Sequence, residues 1–385
     1  MIFEALTALV ITSKVGIGVY TDTTGSPPLA VQLDAARNLT GADGWVVLYL
    51  CSWRTTNASC VNESTTGDAA SNAALRAAYA RNLSVVARIG NPYYVRDHAD
   101  RVGASALAFT ALAKGYARLI ASLPAPPRGK ALYVTAGNEF NACNEWRCSD
   151  AAPNATLSSV QMAAEVGAFY RDVGAAVEQL QATRKYLRYA VGPISDWDTS
   201  PCECGTGKPL GAGRSGLKWL ALMHAAEPTL YRNADWFCSH AYPYQREWDD
   251  PTALQGLTYY RNETTLIGRP GPHFPVLVTE TGWRLDARWA RITSAERANW
   301  TVRAFDLWER DEQLVAAMPF LLSGALWQSM GWSWANVSGV DGSGPLVPLP
   351  VYDAVFAMQR ARAAAAAAAA AAPQSISIAG RRRRW

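Results

Sequence analysis

Short apolar runs and longer amphipathic stretches alternate along this chain. The runs, rich in Val, Ile, Leu and Tyr, read as buried strands at 15–20, 45–50, 84–89, 131–136, 187–194, 235–240, 276–279 and 318–326. Runs that are apolar on both faces belong to a parallel sheet covered on each side. Between them the spacing changes to a helical period, which predicts helices over 30–39, 72–81, 105–123, 158–182, 217–226, 251–260, 294–310 and 352–361. Eight strand–helix pairs in one unbroken series predict an α/β fold, a (β/α)8 TIM barrel forming a single domain over 15–362. An open, doubly wound sheet is the competing architecture, but it supplies no reason for that number.

The two ends of the chain differ from this body. In the N-terminal segment 1–14, Met1 to Thr12 is apolar but carries Glu4 instead of a basic flank and shows no clear cleavage site. At 363–385 a run of alanines, Pro373 and four arginines at 381–384 make up a tail expected to be disordered. The alanines are able to prolong the last helix.

Two strands end in chemistry. Ala131-Leu-Tyr-Val-Thr-Ala-Gly-Asn-Glu-Phe-Asn141 is an apolar strand that closes on Gly137, Asn138 and Glu139. Pro275-Val-Leu-Val-Thr-Glu-Thr-Gly-Trp283 repeats the design and delivers Glu280. Barrel sites lie at the C-terminal rim of the strands. Other strand ends bring Arg88 and Asn91, the segment Ser239-His240-Ala241-Tyr242, and Trp327 with Gln328 to the same rim. A pair of carboxylates, one protonated and one ionised, is what cleavage of a glycosidic bond requires. Taken singly, these residues also fit plain structural roles. His240 fits a satisfied core histidine, Arg88 the partner of a core carboxylate, and Trp283, Trp332 and Trp334 loop packing as well as sugar platforms.

Composition narrows the function classes. Fifteen Trp and sixteen Tyr are more than packing usually needs and suit stacking on sugar rings. The formal charge of +4 is matched by the four arginines of the tail, so the body is near neutral, which argues against a nucleic-acid partner. No stretch reaches the roughly 18 apolar residues of a membrane span. Eight N-x-S/T sequons, at Asn38, Asn57, Asn62, Asn82, Asn154, Asn262, Asn299 and Asn336, favour a secreted glycoprotein. The seven cysteines agree: Cys51/Cys60 and Cys143/Cys148 are close enough to close small loops, and Cys202, Cys204 and Cys238 leave one pair and one free thiol. The four histidines lack the spacing of a helical zinc site, and neither a phosphate loop nor a G-x-S-x-G elbow occurs.

The strand ends resemble those of the retaining glycoside hydrolases of clan A. In that clan an Asn-Glu pair ends the fourth strand and a second Glu ends the seventh. The resemblance implies that Glu139 is the acid/base, Glu280 the nucleophile and Asn138 a contact to the sugar 2-hydroxyl. It also implies that Tyr242, in His240-Ala-Tyr242, touches the nucleophile, that Trp327 lies under the sugar, and that Arg88 steadies the nucleophile's charge. One departure stands out: many clan members have proline after the acid/base, where this chain has Phe140. The implied activity is double-displacement hydrolysis of a β-linked glycan, with no metal or organic cofactor. A transglycosylase with the same site and a catalytically silent carbohydrate-binding protein are the alternatives.

Overall fold

The computed structural model describes residues 13–21, 27–50, 61, 64–90, 109–141, 146, 159–195, 216–285, 292–324, 328–338 and 344–371. Five parallel strands pair in chain order: β1 (Gly16–Tyr20), β2 (Trp45–Leu50), β3 (Ser84–Ile89), β4 (Leu132–Ala136) and β5 (Leu187–Ala190). Three more form a second parallel group: β6 (Phe237–His240), β7 (Val276–Glu280) and β8 (Leu314–Ala317). Single bridges join the groups at both seams, Val15 to Ala317 and Ser195 to His240, so the sheet closes on itself. Helices alternate with the strands: α1 (Leu29–Thr40), α2 (Ala69–Ala80), α3 (Thr110–Ser122), α4 (Ser159–Gln181), α5 (Gly216–Ala226), α6 (Pro251–Leu257), α7 (Tyr260–Leu266), α8 (Ser294–Glu309) and α9 (Pro350–Ala371). The (β/α)8 architecture expected from the pattern is the one observed.

The period of two along each strand sorts its side chains between two cores. In β2, Val46, Leu48 and Leu50 pack in the layer between sheet and helices. Trp45, Val47 and Tyr49 belong instead to the smaller interior cluster, with Val86, Cys238, Leu277 and Met318. The C-terminal helix α9 lies over the β1–β8 seam. There Tyr352 donates to the carbonyl of Ala35 (2.9 Å), Gln359 Nε2 to that of Thr40 (3.0 Å), and Arg362 pairs with Asp306 and Glu309.

Four expectations need correction. The eighth strand is Leu314–Ala317 and not 318–326. The apolar run that follows is buried, but Pro319 has no N–H to offer a ladder. Its neighbours bond irregularly instead, Met318 to Val278 (2.8 Å), Phe320 to Thr281 (3.0 Å) and Leu322 to Gly18 (2.9 Å). The fifth strand stops at Ala190, short of 194. The helix read over 251–260 is two helices, because the Trp308 indole takes the carbonyl of Leu257 (3.0 Å) where a continuing turn would use it. The tail expected to be disordered from 363 stays helical as far as Ala371, in keeping with alanine's propensity.

Candidate active site

The interior core ends at its top in a polar cluster drawn from both groups of strands. From the first group comes Arg88, inward-facing on β3 and in register with Tyr49 of β2. Its guanidinium lies over the Tyr49 ring, 4.1 Å from the centroid. Also from this group come Asn138 and Glu139, which follow β4. Gly137 turns the chain there with φ +76, and its amide donates to Ile89 (2.7 Å). Phe140 anchors the turn by packing. It is buried, stacks on Tyr170 at 5.4 Å and tilts against Trp146 at 4.7 Å. Asn141 then ties the turn to the end of the fifth strand's loop through paired bonds with Ser195, of 2.7 and 2.8 Å.

The second group supplies His240 and Tyr242 from β6 and Glu280 from β7. Alternation from Leu277 would send Glu280 outward. The register shifts between Ser239 and His240, so that Ser239 faces Val278 while His240 faces Glu280, skipping Thr279. This irregularity re-aims the carboxylate into the barrel, as bulges beside sites do.

The groups then connect. Arg88 Nη1 donates to Glu280 Oε1, and Tyr242 donates to Oε2 over 2.8 Å. His240, fully buried, sits between the carboxylates, with Nδ1 2.7 Å from Glu139 Oε1 and 3.6 Å from Glu280 Oε2. Arg88 Nη1 lies 3.4 Å from Nε2 of the same ring. Because a guanidinium only donates, Nε2 must carry the lone pair, so Nδ1 holds the hydrogen and donates to Glu139. Facing oxygens of Glu139 and Glu280 lie within 4.8 Å of one another. Glu139 keeps a fifth of its side chain exposed, whereas Glu280 is nearly enclosed.

Burial by itself would raise the Glu280 carboxyl. The neighbouring His240 imidazole, the Arg88 guanidinium, and the hydrogen bonds from Arg88 and Tyr242 outweigh it and hold the group below its ordinary value. Glu139, His240 and Glu280 together have the composition of a divalent-cation site. Two features oppose that use: Arg88 already places a positive charge on Glu280, and the imidazole nitrogen facing the carboxylates carries hydrogen.

Of the residues singled out in the sequence, Arg88, Glu139, His240, Tyr242 and Glu280 come together, with Asn138 beside them on the rim. Trp327 and Asn91 lie outside the described residues, as does every cysteine but Cys238. Cys238 is a free, buried thiol 3.1 Å from the Thr279 hydroxyl, and burial pushes it up to about 12. Tyr49 and Phe320 were missed. With Trp332 they line the interior beside the cluster, Phe320 packing on Tyr49 and Trp332 at 5.8 Å and Trp332 on Tyr242 at 5.4 Å. Among the described residues no helix is long and apolar enough to cross a membrane.

No protein-family model matches the chain, and no curated protein matches it in sequence. Solved structures match it in fold. β-Glucosidase 2 from the fungus Trichoderma reesei, in complex with Tris, aligns with a TM-score of 0.58 at 10% identity, over 91% of this chain and 99% of that one. The family 1 β-glucosidase from Thermotoga maritima gives 0.54 at 9% identity, over 91% and 97%. β-Glycosidase BGL167 gives 0.53 at 11% identity, also over 91% and 97%. These neighbours are clan A glycoside hydrolases, and at such identities what the chain shares with them is the (β/α)8 barrel.

Proposed function

We propose that the protein is a retaining glycosidase acting on a β-linked poly- or oligosaccharide. The observation that carries the reading is the facing of Glu139 and Glu280 within 4.8 Å at the strand ends, with Glu280 held ionised by Arg88 and Tyr242. Retaining glycosidases hold their carboxyls about 5–5.5 Å apart, whereas inverting ones need about 6.5–9.5 Å to admit water.

In the first step Glu280 attacks the anomeric carbon. The glycosidic C–O bond breaks, and the departing oxygen takes the proton from Glu139. A glycosyl ester on Glu280 results. In the second step Glu139, now a carboxylate, removes a proton from water as the water oxygen attacks the same carbon and releases Glu280. His240, donating to Oε1 of Glu139, orients that carboxyl so that Oε2 faces the reaction. Two inversions leave the sugar in its original configuration.

The sequons support a secreted glycoprotein: Asn38, Asn82, Asn262 and Asn299 are exposed. Removal of N-glycans from protein made in a eukaryotic host would shift its mass at those sites, and an unshifted mass would remove this support.

The test of the activity is a time course against β-linked polysaccharides and aryl β-glycosides, followed by NMR of the released anomer. Wild type should turn over with retention, and Glu280→Gln should be silent while folding normally. Full activity in Glu280→Gln, or inversion of the product, would sink the assignment. Longer products with excess acceptor would move it to a transglycosylase, and glycan binding with no turnover to a silent binding protein.

A further inference from the structure

Two consecutive residues without the licence of glycine adopt the left-handed conformation just beyond β6. Tyr244 has φ +51 and Gln245 φ +54, and the amide of Arg246 closes the turn on the carbonyl of Pro243 at 3.0 Å. Positive φ at both central positions is the pattern of a type I′ turn, which favours Asn and Gly. Tyr and Gln hold it here against their own preference, and such strain persists only where the surroundings over-determine it.

What over-determines it is the loop after Glu280. The Gln245 side-chain amide is used at both ends: Oε1 accepts from the Arg284 amide (2.7 Å), and Nε2 donates to the Gly282 carbonyl (3.4 Å). Two further bonds join the same segments, Thr281 Oγ1 to Ala241 O (2.5 Å) and Trp283 Nε1 to Arg246 O (2.8 Å). Trp283 is wedged between Trp248 and Trp300, at 6.3 and 5.7 Å. On its far side, the post-β7 loop meets the segment after β8 through Phe320 N to Thr281 O and Leu285 N to Gly331 O. Gly282, with φ +115, is the one glycine in the clasped stretch, and Gln245 grips its carbonyl directly.

We propose that Gln245 is a positioning residue for Glu280, its strained turn presenting one amide that fixes the loop on which the carboxylate ends. This deepens the glycosidase reading and rests on it. Among the described residues, the side-chain hydrogen bonds of Gln245 go to backbone, so it acts through residues 282 and 284. A misplacement of about 1 Å at a reacting group lowers turnover on the order of 100-fold.

The decisive variants are Gln245→Gly and Gln245→Asn. Both accept the left-handed turn, and neither reaches the post-β7 loop: glycine has no amide, and asparagine is one methylene short. In each, Tm should stay within about 2 °C of wild type, since relaxed strain offsets the lost bonds. Hydrogen exchange at the Arg284 amide should accelerate, kcat should fall about 10- to 100-fold with KM changed less than about threefold, and the Glu280 carboxyl should titrate at a shifted value by 13C NMR. A purely structural role would lower Tm and leave kcat per folded molecule unchanged. Unchanged exchange at Arg284 would overturn the proposal, and so would free exchange with unaltered kcat and Glu280 titration. If wild type cleaves no β-glycoside, the reading of the site fails on its own, and the exchange and titration data still decide whether Gln245 positions Glu280.

Discussion

Arg88 and Glu280, 192 positions apart in the chain, meet in a buried ion pair that spans from β3 to β7. Each is nearly enclosed, and removing one partner of such a pair leaves the other's charge uncompensated. Arg88→Met should therefore cost about 3–5 kcal/mol of stability near neutral pH. Glu280 lies below its unfolded value when paired. Its contribution is thus present above that unfolded value and is lost as pH falls through the lowered folded one. Without Arg88, the acid limb of the kcat/KM profile should move up. Denaturant melts and pH–rate curves on the two proteins read both effects, and an unmoved acid limb would detach Arg88 from Glu280.

The second hold on Glu280 can be removed without disturbing the packing. In Tyr242→Phe the ring stays against Trp332, and only the hydroxyl donor 2.8 Å from Oε2 is lost. Stability should change by about 1 kcal/mol. Turnover should drop about 10- to 100-fold, with substrate affinity nearly constant, since the lost bond orients a reacting atom. Steady-state kinetics on one aryl glycoside suffice to check this.

Gly137 sets the direction in which Glu139 leaves its strand. A Cβ there would meet the Phe140 ring at 2.0 Å, and the φ of +76 is one that alanine resists. Gly137→Ala should destabilise the fold by about 2–4 kcal/mol by expelling Phe140 from its aromatic cluster. Activity should fall further than unfolding alone explains. Calorimetry and kcat per folded molecule separate the two losses.

A carboxyl outside the site gives the fold its own pH dependence. Glu263, on α7, is fully buried. Ser239 donates to one oxygen over 2.6 Å, and the other has no partner among the described residues. Burial pushes the group up to about 8 from 4.5, against the Ser239 bond that lowers it. The folded value lies above the unfolded one, so the folded state binds the proton more tightly. The resulting stability is complete below about 4.5 and is lost as pH rises through about 8. Glu263→Gln should flatten this slope and gain as much as about 5 kcal/mol over wild type at pH 9. Melting curves across pH 5–9 would show it, and parallel curves for the two proteins would refute it.

The sequence carried the barrel because each strand had to be apolar on both faces, which is visible without a structure. The same property hid which face looks inward. Tyr49 and Phe320 therefore gave no sign of lining the cluster, and Trp332 could not be separated from loop packing. The carboxylates were legible because each closes an apolar run with a glycine near it, and His240 and Tyr242 because they sit two apart at the end of another such run. Three things were not legible: the register shift that turns Glu280 inward, the packing by which Phe140 anchors its turn, and the depth of Glu263. Each depends on contacts between segments distant in the chain. The eighth strand was misplaced because burial, and not a ladder, makes 318–322 apolar.

The barrel's division into two strand groups has a consequence for how the chain matures. Arg88 and Glu139 emerge with β1–β5, whereas His240, Tyr242 and Glu280 arrive only with β6–β7. Until the later group docks, the earlier one carries a guanidinium and a carboxylate with nothing opposite them. On the ribosome, then, no nascent chain shorter than about the seventh strand has a competent site. If the protein were split between β5 and β6, neither piece would hold the reacting pair. Under the glycosidase reading proposed above, cleavage of a chromogenic glycoside would appear only on reassociation, making the protein a reporter of its own assembly.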